Sequence, residues 1–282
     1  MLNYARKNPS RNYATLFLAR PGACFFAIMM AAFAVTLAAT PQQKVVSKTG
    51  KSAPKTPAVS VAPFHAGENL VYSGQWLSLN DVIGARLSVN DERPLNSHPA
   101  WHFRAQLQTK NPLRYMLPVD DSFDSYAGHT DLAGLQFEMH LNERGKSENH
   151  VLRMTPGQTA TPAGASQAQV PPGTRDALGF LYYLRTLNWQ KTPEIRSPVF
   201  DGHKVYDVHV KVVTPRSDLT VAAGKYVATG LSIRPYINGK ELADTHITLW
   251  LARDAAQTPV LIEVGLPFGS GRVELTPATA AK

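Results

Sequence analysis

Asp120, Asp121 and Asp124 place three carboxylates within five residues of a 282-residue chain, its densest acidic cluster. Carboxylates this close could ligate a cation or serve as the acid and base of a glycosidase. A solvated connection between strands, with Asp serving turn geometry, is the plainer expectation. All nine His follow residue 63, and His203 and His209 would share one strand face. Six residues of extended chain separate them by about 20 Å, too far to share a metal. No H-E-x-x-H pair and no G-x-S-x-G elbow occur, so neither a zinc hydrolase nor a serine nucleophile is indicated. Gly269, Ser270 and Gly271 read as a hairpin turn between strands, not as a phosphate loop. The single Cys, Cys24, lies in the N-terminal apolar run, so the rest of the chain has no thiol chemistry and no disulfide. Tyr182, Tyr183 and Arg185 could grip a glycan or lipid headgroup by stacking and charge, or pack the tyrosines in a core. No catalytic residue, metal or cofactor is assigned.

The elements that would position these groups are mostly strands. Period-two alternation is clearest over residues 101–109, 131–141 and 203–213, where Phe103, Phe137 and Val208 fall on one face and Arg104, Glu138 and His209 on the other. Weaker runs at 70–79, 82–89, 151–154, 225–233, 246–251, 260–264 and 272–275 bring the number to about ten. One segment departs from this. After a Pro, Gly, Ala, Ser and Thr-rich loop over 156–173, Thr174 can cap a helix through R-D-A-L-G-F-L-Y-Y-L-R-T-L, apolar nearly all round. The expected fold is therefore mostly β: an antiparallel meander forming a strongly curved sheet or open barrel around one buried helix. Asp176 and Arg185, nine residues apart, cannot pair with each other and must find partners in the sheet or in solvent.

The net charge of +8 is confined to one end. Residues 1–63 hold eight Lys or Arg and no acid, and the remainder is balanced at 21 of each sign. A nucleic-acid footprint is thus absent from the main domain. Four basic residues precede an uncharged run over 23–40 that closes in small residues, the order of a secretory signal cleaved near Ala39. An uncleaved inner-membrane anchor is the alternative. The expected organisation is a signal over 1–40, a Lys, Pro and Ser-rich tether over 41–63, and a single domain over 64–282 in the periplasm or cell envelope. Membrane contact would come only through residues 1–63.

Several sequence blocks resemble the bacterial family called domain of unknown function 3108. They are Gly67 to Tyr72 with Trp76 and Gly84, Asp120 to Asp124, Asp176 to Gly179 leading into Leu181 to Arg185, Phe200 to Gly202, and Leu249 to Asp254 before Pro259. Gly179 departs from the pattern, which has Ser there. The resemblance implies an exported, envelope-associated β-rich protein of no known activity. Three functions are compatible: non-catalytic binding of an apolar or amphiphilic envelope molecule, an assembly factor for an envelope protein, or a hydrolase of envelope polymers. Partners would be lipid, glycan or envelope protein. For the first function, Tyr72, Trp76, Tyr183 and Arg185 are the expected ligand contacts at a cavity mouth, since they join apolar bodies to polar tips.

Overall fold

The computed structural model describes residues 62–90, 94–156, 166–213, 216–242, 245–266 and 269–277. The signal over 1–40 and the tether up to residue 61 lie outside the described residues.

The chain order is β1 (Asn69–Trp76), β2 (Leu79–Val89), β3 (Ala100–Thr109), α1 (Leu113–Met116), β4 (Asp120–Gly128), β5 (Gly134–Glu143), β6 (Lys146–Pro156), β7 (Ser166–Val170) and β8 (Arg175–Asp176). It continues through α2 (Ala177–Arg185), β9 (Glu194–Phe200), β10 (Val205–Val212), β11 (Arg216–Val221), β12 (Gly224–Ile237), β13 (Lys240–Glu241), β14 (His246–Ala252), β15 (Pro259–Leu266) and β16 (Gly269–Leu275). All the strands join one sheet in the order β7-β6-β5-β4-β3-β2-β1-β16-β15-β14-β12-β10-β9-β8, with β11 and β13 also paired to β12. The fold is mostly β, as the alternation predicts.

The sheet is mixed and not a pure antiparallel meander, because β6–β7 and β8–β9 are parallel pairs. These pairs occupy the two ends of the strand order, and the chain passes from one end to the other through residues 171–174 alone. Four linking residues span at most ~18 Å, so the sheet must curl until its edges nearly meet. The joint is pinned from β5: the Gly134 N–H donates to the Thr174 carbonyl at 2.9 Å, and Arg175 Nη2 donates to the Asp131 carbonyl at 2.6 Å. No ladder joins β7 to β8 among the described residues, so the barrel stays open.

α2 fills the inside of the curl, with all nine of its residues buried. Its cap is Asp176, two residues later than Thr174, because Arg175 and Asp176 first pair with Val199 and Phe200 of β9. Asp176 Oδ1 accepts the Gly179 N–H at 2.8 Å, and its Oδ2 accepts the Ser125 hydroxyl of β4 at 2.6 Å. Gly179 leaves the space next to this hydroxyl: a Cβ there would stand 3.1 Å from Ser125 Oγ. Tyr182 stacks on Phe103 of β3 at 3.9 Å between centroids, and Phe64 abuts both rings edge-on. Phe64 thus ties the start of the packed domain to the helix.

Six strands depart from the sequence reading, among them the two-residue β8 and β13. Residues 120–128 form β4 instead of a solvated loop, because Phe123, Ser125 and Ala127 face the core in register with β3 and β5. β9 is interrupted in pattern by Pro198, β7 lies in the low-complexity stretch, and β11 is a short strand on β12. Gly269, Ser270 and Gly271 are not a turn but open β16 and pair with β15. A Cβ at Gly271 would lie 2.9 Å from the Trp76 ring, so glycine is needed for that close approach.

Candidate functional site

Beyond α2 the chain turns sharply. The Thr186 hydroxyl donates back to the Tyr183 carbonyl at 2.7 Å, and Asn188 Oδ1 accepts the N–H groups of Gln190 and Lys191 at 3.1 and 3.2 Å. Trp189 folds back so that its indole N–H donates to the Leu184 carbonyl at 2.9 Å, satisfying one of the orphan carbonyls of the helix end. Opposite stands the β14–β15 connection, where Asp254 accepts from the backbone and hydroxyl of Thr258 at 3.1 and 2.9 Å. Gln257 bridges the two, donating to the carbonyls of Leu187 at 3.0 Å and of Arg185.

Arg185 is the strut behind this arrangement. Its guanidinium makes a bidentate pair with Glu68 at 2.6 and 2.7 Å and donates from Nε and Nη2 to the Ala256 carbonyl at 3.2 and 3.1 Å. One side chain therefore joins the chain entering β1, the end of α2 and the β14–β15 turn. Above it opens a groove of about 680 Å³ between the 186–190 turn, β12 and the β14–β15 turn. Leu187, Trp189, Val227 and Leu251 supply its apolar lining, and the exposed Arg253 and Asp254 stand at its rim. Val227 is 49% exposed there, one of the few large apolar side chains on the surface.

The four contacts expected from the sequence are placed differently. Tyr72 is 2% exposed, and its hydroxyl donates to the Pro259 carbonyl at 2.8 Å; burial pushes its pKa well above the usual phenol value. Tyr183 is buried under the Arg175 guanidinium, 3.5 Å from its ring centroid. Trp76 is half-buried against the β16 glycines at the far end of β1. Arg185 is fully buried and internally paired. Tyr72 and Arg185 share one neighbourhood behind the groove, while Trp76 and Tyr183 lie apart; none of the four lines it. Sequence reasoning missed Leu187, Trp189 and Val227. The Leu249 to Asp254 block carried the available signal, since it supplies one wall.

The acidic cluster is divided by the strand. Asp120 points out to a bidentate pair with Arg114 at 3.0 and 2.6 Å, and Asp124 accepts from His102 at 2.7 Å on the outer face. Asp121 faces inward, accepts the Asn142 N–H at 2.8 Å and meets the Glu143 carboxyl. Burial pushes Asp121 up to about 6 and Glu143 up to about 7, the latter further raised by the charge on Asp121. Folded pKa values above the unfolded ones mean that the folded state holds extra protons between about pH 4 and 7. Their contribution is greatest below the unfolded carboxyl pKa and is lost as pH rises through 6 to 7. A rise of this size in one carboxyl is worth at most about 3 kcal/mol, which screening at this barrel end reduces to ~1–2 kcal/mol. Denaturant titrations at pH 5 and pH 7.5 should show this loss, and Glu143→Gln should flatten it; an unchanged slope in the variant would contradict the assignment to this pair.

Fold and groove together define an open, helix-filled β-barrel-like domain. The family model described as "Protein of unknown function (DUF3108)" matches residues 71–276, and the chain belongs to that family. Among curated proteins none matches the sequence. Three solved structures are similar. A β-barrel-like protein of domain of unknown function 1849 from Brucella abortus is 10% identical, with TM-score 0.48, 74% of this chain covered and 95% of that one. A hypothetical protein from Chlamydia trachomatis is 6% identical, with TM-score 0.36 and coverages of 77% and 94%. A candidate lipoprotein from Parabacteroides distasonis is 10% identical, with TM-score 0.34 and coverages of 76% and 95%. Among the described residues no helix is long and apolar enough to cross a membrane.

Proposed function

We propose that this protein is exported to the cell envelope and there holds an apolar or amphiphilic molecule, without catalysis, in the groove beside the end of α2. The single observation that carries this reading is the groove itself. Its volume of about 680 Å³ falls within the usual range for small-molecule sites. A mixed lining, with Leu187, Trp189, Val227 and Leu251 beside Thr186, Asn188, Gln190, Thr229 and Gln257 and with Arg253 and Asp254 at the rim, suits an amphiphilic ligand with both apolar and polar parts. The basic, apolar and small-residue order of residues 1–40 supports export, and cleavage near Ala39 would leave the domain on a tether over 41–63.

Binding would come chiefly from buried apolar area at ~25 cal/mol per Å², with weak salt dependence apart from Arg253. The test is a titration of the full chain with a fluorescent fatty acyl probe. Saturable binding is expected. Val227→Asp, at a half-exposed position that costs the fold little, should weaken binding at least tenfold, and Arg253→Ala should weaken it about threefold for anionic probes only. Equal affinity in Val227→Asp and the wild type would rule out the groove as the binding site.

The assembly-factor reading rests on a different observation. Leu77, Leu79, Tyr115 and Met116 are exposed, and the Lys110–Asp81 ion pair at 2.6 Å sets the α1 segment beside the β1–β2 turn, gathering all four at one end of the barrel. An apolar tip of this kind fits a protein partner. Loss of that partner from Tyr115→Ser with Met116→Ser, at unchanged probe affinity, would favour this reading.

A further inference from the structure

On the outer face of the wall, Asp124 of β4 stands directly opposite Glu138 of β5 in the antiparallel register. Like charges in that position destabilise a sheet unless something lies between them. His140, two residues along the same face, brings a ring nitrogen to the pair: one atom from each of the three side chains lies within 4.8 Å of the others. Adjacent donors of a tetrahedral zinc at 2.0–2.2 Å stand about 3.3–3.6 Å apart, so closure draws these atoms together by roughly 1 Å, a distance that side-chain rotation covers.

Each donor is held by a neighbour outside the trio. Asn149 of β6 sits 2.8 Å from His140 Nδ1, and an Nδ1–H donated to its Oδ1 leaves Nε2 with a free lone pair. That Nε2 is 3.7 Å from Glu138 Oε2, too long for a hydrogen bond between them. Gln136 Nε2 donates to Glu138 Oε1 at 2.6 Å, which fixes the carboxylate. His102 Nε2 donates to Asp124 Oδ1 at 2.7 Å, while its Nδ1 receives Asn90 at 3.3 Å. Arg104 also approaches that Oδ1, at 3.9 Å, a cationic side chain that works against a metal here. Asp124 is 4% exposed, so its carboxylate is largely out of water and gains from a compact counter-charge.

We propose that Asp124, Glu138 and His140 form a binding site for a divalent transition-metal cation of the zinc class, with His102, Gln136 and Asn149 as positioning residues. Two carboxylates neutralise the ion, and the imidazole selects it over calcium and magnesium, which prefer oxygen alone. Three protein donors leave a fourth position for water. The site lies on β4 and β5, neither of which lines the groove, so the groove reading stands or falls separately.

The test is calorimetric titration of zinc chloride into the full chain, purified without a polyhistidine tag and stripped with chelator. One saturable site per chain is expected. His140→Ala and Glu138→Gln should each weaken it at least tenfold, and Asn149→Ala about tenfold through loss of ring orientation. His203→Ala should leave it unchanged, and calcium should bind at least a hundredfold more weakly than zinc. Cobalt(II) should give visible d–d absorption that His140→Ala abolishes. The substituted side chains at 138, 140 and 149 lie on the outer face and His203 in the exposed β9–β10 turn, and equal melting temperatures for the metal-free forms would show that the fold is kept. Absence of saturable zinc binding up to millimolar concentration, equal affinity in His140→Ala, or calcium binding as tight as zinc would each overturn the proposal.

Discussion

Glu68→Gln is expected to destabilise the protein by about 3 kcal/mol, lowering the melting temperature by roughly 6–12 °C for a domain of this size. The Arg185 side chain is 1% exposed and Glu68 10% exposed, so removing the anion leaves a cation in the barrel with no formal counter-charge. The rings of Tyr182 and Phe64, 5.2 and 5.4 Å from the guanidinium, offset only part of this. Because the loss comes from the stranded charge, Glu68→Gln combined with Arg185→Met should recover more than half of it. A double variant as unstable as the single one would show that the strut matters through its hydrogen bonds to Ala256 instead. Thermal unfolding of the three variants decides between these outcomes.

Leu184→Ala should cost ~2–5 kcal/mol through the cavity it leaves. Leu184 is 1% exposed within a helix whose every residue is covered, and β3, β4 and β9 pack around that helix. The wall strands are long and hydrogen-bonded along their length, so they cannot easily collapse into the space. A change under half a kcal/mol in denaturant titration would mean that the helix is not held by the sheet. The carbonyl that Trp189 caps is the backbone group of residue 184, which the substitution keeps, so affinity for the acyl probe should be retained.

The strands with one apolar and one polar face were legible from their residues. β3 shows why: Phe103, Ala105 and Leu107 are buried and alternate with Arg104, Gln106 and Gln108, as half-buried strands must. β4 was not legible because the residues it turns inward include Asp121 and Ser125, which read as solvent-facing. Their burial is made tolerable by partners remote in sequence, the Asn142 N–H for Asp121 and Asp176 for Ser125. The apolar helix was visible from Leu181, Tyr182 and Leu184, but its true start was set by the short pairing of Arg175 and Asp176 with β9, a contact that local capping rules do not contain.

The candidate site was harder to read for the same reason. Tyr72 and Arg185 have the amphipathic character expected at a mouth, yet their polar ends are spent on Pro259, Glu68 and Ala256 across 100 residues or more in the case of Tyr72 and Glu68. The groove arises where three sequence-distant segments meet. Val227 is a valine on the outward face of β12 with Lys225, at the register shift of the β11–β12 pairing between Tyr226 and Ala228, and that irregularity in a partner strand is not written in its own segment.

The most direct test of amphiphile binding in the groove is native mass spectrometry of the protein purified from its own envelope in a detergent removed before measurement. One bound amphiphile per chain is expected, of a mass that organic extraction recovers, together with its loss in Val227→Asp while the variant keeps the wild-type melting temperature. A wild-type chain that carries no adduct and takes none up from added fatty acid, or an adduct retained equally by Val227→Asp, would contradict it.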